Sequence, residues 1–332
     1  MDLRERLGIE HPVVQAALGG GIGRAELASA VSRAGGLGTL CTMHDPVRFR
    51  DEIRACREQA GGRPFSVNLL LPVTRRGHVE ACVAERVPVV SLFFGYDARL
   101  VGALRAVGSV VLHQVGTAAE ARRALHDGAD GLIVQGQGAG GHVLAEAPLD
   151  AALPPIVDLA GDRPVLAAGG IHDRASTLHA LSLGAAGVWV GTRFLLTPES
   201  HAHPAYKARL LAADKTFETL LFGLGWHALH RVAPNAATDR WCARDPLGPQ
   251  WVRALSRGIG ALAKLAPPSA VGYAVARQRL DRPFFSPAPM VRGMDERLVE
   301  LTPLYAGECV TQIRSLMGAA DVVRELSGQQ PE

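Results

Sequence analysis

The chain has 332 residues, 48% of them hydrophobic, and a formal charge of only +3, enough apolar material for one large domain or one large and one small. No apolar run approaches the roughly 18–20 residues needed to cross a bilayer, and the start, MDLRERLGIEHPVV, lacks the basic-then-apolar layout of a secretory signal, so a cytoplasmic protein without a membrane partner is expected. Arginine supplies 32 of the 35 cations, and neither a basic block nor a nucleic-acid-binding module is visible, so nucleic acid is not an expected partner.

Eight short apolar runs follow in order, separated by amphipathic stretches. They are PVVQAAL (12–18), LGTLCT (37–42), FSVNLLL (65–71), VVSLFF (89–94), VVLHQV (110–115), GLIVQG (131–136), PVLAAGG (164–170) and GVWVGT (187–192). Segments such as DPVRFRDEIRACREQAG and TAAEARRALHDGAD space their apolar residues three or four apart, which gives a helix one buried face. Strands apolar on both sides belong in a parallel sheet, and eight strand–helix repeats within about 210 residues predict a (β/α)8 TIM barrel. An open dinucleotide-binding sheet is the rival. GGGIGRAEL (19–27) opens a helix after a strand, yet GxGxxG is absent and no acidic residue ends the second strand.

The last 120 residues lose this rhythm. FETLLFGLGWHALHRVAPNAATDRWCARDPLGPQWVRAL is rich in Trp, Pro and His, and GIGALAKLAPPSAVGYAVARQRL and GECVTQIRSLMGAADVVREL read as helices. The expected organisation is an α/β barrel over 1–215 and a smaller, mainly helical domain over 216–332 that caps it, with the C-terminal segment a candidate to pack back on the barrel.

In such a barrel the chemistry sits at the C-terminal ends of the strands, and phosphate often binds after the last two. There the sequence has Gly169–Gly170 in AAGGIHD and Gly191–Thr192 in GTRF, where exposed N–H groups before helices suit an anion. Gln15, Asn68, His113, Gln114 and Gln135 also lie near strand ends. Each is read either as a satisfied core group or as part of a polar lining for a planar heterocycle, for which a flavin is the right shape. QGQGAGGHV (135–143) spends four glycines before delivering His142; this is either a turn or an imidazole held beside a flat ligand. His172 reads as a turn residue.

The five cysteines show no disulfide or metal spacing and are expected to be free, buried thiols. HAH (201–203) and HALH (227–230) could suggest a metal, since a pair at i and i+3 shares a helix face, but no carboxylate or third histidine lies at metal-site spacing, so no metal is expected. An aldolase- or isomerase-type barrel is disfavoured because no strand-end lysine or carboxylate pair is available.

VQGQGAGGH, PVLAAGGI and GAAGVWVGTRFLLTPES, with HPVVQAALGG, SVNLLL, VGTAAEARRALHDGAD, RVAPNAATDRW and LYAGECV, occur in an order and spacing that resemble the nitronate monooxygenase family of FMN-dependent TIM-barrel oxidoreductases. The resemblance implies one noncovalent FMN, its phosphate at Gly169, Gly170, Gly191 and Thr192, and Asn68, Gln135, Gly140 and Gly141 near the ring or ribityl chain. His142 matches the family's catalytic histidine, the base toward a neutral nitroalkane. The implied partners are a nitronate or other electron donor and O2, and a homodimer is compatible with the chain. Three departures surround the substrate side: Ala17–Leu18 for proline–methionine, Gly138 for glutamate, and Val143–Leu144 for arginine–glycine. No lysine precedes Lys207, so stabilisation of a reduced ring falls to an arginine, a helix N-terminus, a histidine or an amide such as Gln114. Two alternatives stay open: an FMN-dependent NAD(P)H enoyl-thioester or quinone reductase, and a noncatalytic flavin-binding barrel.

Overall fold

All eight predicted strands form in the computed structural model, which describes residues 3–42, 45–224, 226–263, 272 and 274–328. The predicted helix over 258–280 lies partly outside the described residues. The chain makes two compact units. The first is Met1–Gly138, Leu144–His201 and Ser315–Glu332; the second is Ala139–Val143 and Ala202–Arg314. The division thus falls at 201/202, not near 215, and the second unit also takes five residues from the loop after the sixth barrel strand.

In the first unit β1 (Val13–Gln15), β2 (Gly38–Cys41), β3 (Phe65–Leu70), β4 (Val89–Phe93), β5 (Val110–Val115) and β6 (Gly131–Gln135) are followed by β8 (Val165–Ala168) and β9 (Gly187–Val190). They pair in parallel in the order β1-β9-β8-β6-β5-β4-β3-β2. A parallel bridge between Val14 and Leu37 joins the two edges. Gln15 N–H donates to the Leu37 carbonyl at 2.9 Å and Leu37 N–H to the Val13 carbonyl at 3.0 Å. Closure removes both sheet edges, whose N–H and C=O groups would otherwise need another partner.

Side chains alternate across these strands, and the two sets sort cleanly. Val14, Leu37, Leu112, Ile133, Leu166 and Trp189 cluster inside the barrel with Leu3 and Leu7 of the N-terminal helix. Val13, Val115, Val134, Ala167, Val188 and Val190 face outward against the helices. Helix starts are written in the sequence. Thr117 Oγ1 accepts from Glu120 N–H, and the Glu120 carboxylate accepts from Thr117 N–H, a reciprocal cap. Ala319–Ser327, the last helix, buries Val322, Val323 and Leu326 against the same outer layer as Val13 and Val31.

The second unit holds helices Pro204–Leu211, Ala236–Trp241 and Gln250–Ala263. It also has an antiparallel sheet that the sequence reading does not anticipate: β10 (Phe217–Thr219), β11 (His230–Ala233) and β12 (Leu304–Tyr305), with β7 (Gly141–His142) paired to β11. Leu221, Phe222, Val232, Ala237 and Phe285 form its core. No helix among the described residues is long and apolar enough to cross a membrane.

Candidate active site

Strand parity decides which of the five polar residues enter the barrel. Gln114 and Gln135 share the inward register of Leu112 and Ile133, and Asn68 lies on the inward side of β3, because Val67 and Leu69 pack in the outer layer. Gln15 and His113 do not belong to this lining. Gln15 follows the outward Val13, and its Oε1 accepts from Thr39 N–H at 2.9 Å, so it holds the β1–β2 seam. His113 lies in the outward register and stacks on Tyr96, with ring centroids 4.9 Å apart and an interplanar angle of 15°. Burial pushes its pKa down to about 4 despite a hydrogen bond to the Gly95 backbone, because a low-dielectric setting disfavours the charged imidazole.

The three inward amides differ in how they are satisfied. Asn68 Nδ2 donates to Ser91 Oγ at 3.0 Å. Gln135 Oε1 accepts from Leu144 N–H at 2.8 Å, tying down the chain two residues beyond His142. The Gln114 side chain is 8% exposed and makes no hydrogen bond with any described residue, so it offers a donor and an acceptor to a ligand edge. None of the eight strands carries Lys, Arg, Asp or Glu.

Beyond β8, Gly169 and Gly170 take φ of +109° and +78°, left-handed values that favour glycine. A Cβ placed on Gly170 would meet nothing within 4 Å, and one on Gly191 only Ala16 Cβ at 3.7 Å. Ala16 and Ala168 occupy the adjacent inward positions and add little bulk. Asp173 caps helix Arg174–Ser182 by accepting from Ser176 N–H at 2.8 Å. His172 is a turn residue whose Nδ1 donates to the Gly170 carbonyl at 3.1 Å. Thr192 opens the short helix after β9. These turns offer room and backbone donors for a phosphate, and the amides offer polar groups for a ring edge; the set fits a flavin mononucleotide.

His142 lies in the second unit, as the cross-strand partner of His230. Its ring stacks on Trp226 at 3.9 Å and 21°, with Tyr305 at 5.5 Å and His230 at 5.6 Å. The glycines before it have two separate local reasons. A Cβ on Gly140 would come within 2.4 Å of the Gly307 nitrogen, so close backbone approach excludes any larger residue. Gly141 has φ of +73°. The His230 Nδ1 donates to the Ala228 carbonyl at 2.9 Å, which fixes the neutral tautomer and leaves Nε2 with its lone pair. That nitrogen is buried without a hydrogen-bond partner among the described residues. Burial holds His230 down at about 4; burial, and then the neighbouring His230, hold His142 well below the ordinary imidazole value. His142 is therefore neutral at pH 7.

Trp226 and His230 fall in the Trp-, Pro- and His-rich stretch that follows the barrel. Tyr305 carries no local signal; its hydroxyl donates to the Pro287 carbonyl at 2.9 Å, and its own carbonyl accepts from the Tyr206 hydroxyl at 2.7 Å. The segment 226–229 is not helical, so HALH makes no ligand-bearing helix face. His203 is a helix cap, its Nδ1 accepting from Ala205 N–H at 3.1 Å. Among the described residues no group of three or more His, Cys, Asp or Glu could hold a metal.

A closed parallel barrel with inward amides and glycine turns at the strand ends defines a cofactor-binding β/α-barrel enzyme. The nitronate monooxygenase family model matches residues 2–77 and 72–223, and the chain belongs to that family. It is an oxidoreductase of the flavin type. It is 39% identical to the (3aS,4S,5R,7aS)-5-hydroxy-7a-methyl-1-oxo-octahydro-1H-indene-4-carboxyl-CoA dehydrogenase of Mycobacterium tuberculosis, over 64% of this chain and 60% of that relative's length. Identity to the nitronate monooxygenase of Pseudomonas aeruginosa is 34%, over 61% of this chain and 71% of that one. The solved nitroalkane oxidase of Streptomyces ansochromogenes superposes with a TM-score of 0.76 at 26% identity, covering 98% of this chain and 97% of its own.

Proposed function

We propose that the chain binds FMN at the C-terminal end of the barrel and oxidises alkyl nitronates, with O2 as co-substrate, to a carbonyl compound and nitrite. The observation that carries the reading is the unpartnered inward amide of Gln114, in a barrel whose last two strands run into the open glycine turns at Gly169–Gly170 and Gly191–Thr192. FMN supplies the electron-accepting ring. The chain's own residues bind and orient: the glycine turns and Thr192 take the phosphate, while Asn68, Gln114 and Gln135 present amides to the ring and ribityl chain. With no Lys or Arg on any of the eight barrel strands, Gln114 is the group that meets developing negative charge on the ring, through an N–H dipole.

His142 takes the α-proton of a neutral nitroalkane, a role its neutral state permits without prior deprotonation. With a preformed nitronate no proton needs removing, and His142 positions the anion. Purified protein loaded with FMN is expected to release nitrite and consume O2 on addition of propionate 3-nitronate. A yellow protein that does neither contradicts the proposal.

A second reading is oxidation or reduction of a CoA thioester. It is favoured by the 39% identity to a carboxyl-CoA dehydrogenase and by Val143–Leu144, which put apolar side chains directly after His142.

A further inference from the structure

The second unit carries an open surface groove that the barrel chemistry does not use, in the most basic part of the chain. Between Arg240 and Arg292 the sequence sets nine arginines and lysines against two aspartates, a formal +7 inside a chain totalling +3. No basic block is formed, yet the net positive charge of the chain is greatest in this stretch. Helix Gln250–Ala263 lies in this stretch. Gln250, Arg253, Ala254 and Arg257 recur at the spacing of one helix face, and with Trp251 they line an open surface groove of about 480 Å³.

The groups in this groove are only partly satisfied. Arg253 Nη2 donates to the Asp245 carboxylate at 2.7 Å, but its Nε is buried without a hydrogen-bond partner among the described residues. Arg257 makes no ion pair with any described residue. Both guanidiniums act on His227, which burial and then Arg257 and Arg253 hold below its ordinary value; the imidazole is thus a neutral neighbour and leaves the positive charge to the arginines. Trp251 is 55% exposed, with its ring edge-on to Phe284 at 5.9 Å. An exposed indole beside two guanidiniums, of which only Arg253 is paired with a carboxylate, presents a stacking face and an anion site together.

We infer that this face binds the phosphorylated adenosine diphosphate end of a large cosubstrate, carried by a CoA thioester or by NADPH. The purine stacks on Trp251, and the phosphates pair with Arg257 and Arg253, whose planar forks match phosphate oxygens. The inference deepens the thioester reading above and does not depend on nitronate turnover.

The test is calorimetric titration of the full-length, FMN-loaded protein with CoA, dephospho-CoA, NADPH and NADH. Binding of CoA or NADPH is expected, weakened about tenfold when the single ribose phosphate is missing, the loss of one charge-assisted contact. Arg257→Glu and Trp251→Ala are each expected to weaken binding by about tenfold or more, while Arg257→Lys retains most of it. Preference for CoA assigns the site to the thioester, and preference for NADPH to the nucleotide. Failure of both to bind overturns the inference, as does an Arg257→Glu protein that binds normally or a short single-stranded oligonucleotide that displaces CoA at lower concentration. A protein that releases nitrite yet binds neither loses only this inference; one that binds CoA but releases no nitrite loses only the nitronate reading.

Discussion

His142 and His230 stand directly opposite each other across the β7–β11 ladder, with ring centroids 5.6 Å apart. Directly opposed residues project to the same sheet face, so a proton on one imidazole raises the cost of a proton on the other. Burial is the larger cause, and the pair is neutral through the physiological range. With His142 as the base, turnover of a neutral nitroalkane is expected to be flat between about pH 6 and 8 and to fall only in more acidic solution. His230→Phe removes the competing imidazole, so the acid limb moves to higher pH. A nitrogen-detected imidazole titration of His142 reports the same rise without relying on turnover. An unchanged His142 titration in the variant contradicts the coupling.

Stability carries a separate signature of buried neutral histidines. His113 and His230 are both held at about 4 in the folded chain, against about 6.5 when unfolded. In that window the unfolded state binds more protons than the folded state, so stability rises with pH. The contribution is complete above about pH 6.5 and is lost as the pH falls toward 4. Urea midpoints at pH 5 and pH 7 check this, with the lower midpoint expected at pH 5; equal midpoints mean that these rings are not buried neutral.

Gln135 joins the end of β6 to the chain just beyond His142 through Leu144 N–H. Gln135→Ala removes this acceptor and is expected to cost about 1–3 kcal/mol. Hydrogen exchange at the Leu144 amide should accelerate and nitronate turnover should fall. Unchanged exchange at Leu144 shows that the bond does not hold the loop.

Gly170→Val places a branched side chain at φ of +78°, a strained position, in space assigned to the phosphate. FMN affinity should fall at least about tenfold, while riboflavin, which lacks the phosphate, should bind nearly as before. Equal losses for the two flavins place the phosphate elsewhere.

The barrel was legible because parallel strands covered on both faces read as apolar runs, and GLIVQG or PVLAAGG could hardly be anything else. Direction within a run was less legible. Gln114 and His113 are neighbours in VVLHQV, yet one enters the barrel and the other stacks on Tyr96; parity becomes readable only once the closure register is known. The second unit's sheet was hidden because its strands have two to four residues and pair over long sequence separations, His142 with His230 and Val232 with Tyr305. Gly140 showed the same limit: its close neighbour at Gly307 leaves no mark near residue 140.

The central claim, an FMN enzyme that draws electrons from a nitronate, is tested most directly by anaerobic absorbance after mixing the FMN-loaded protein with propionate 3-nitronate and, separately, with NADPH or NADH. Rapid bleaching of the flavin by the nitronate, with slow or no bleaching by either nucleotide, is the predicted result. Bleaching by nucleotide alone would contradict it and assign the chain to the reductases.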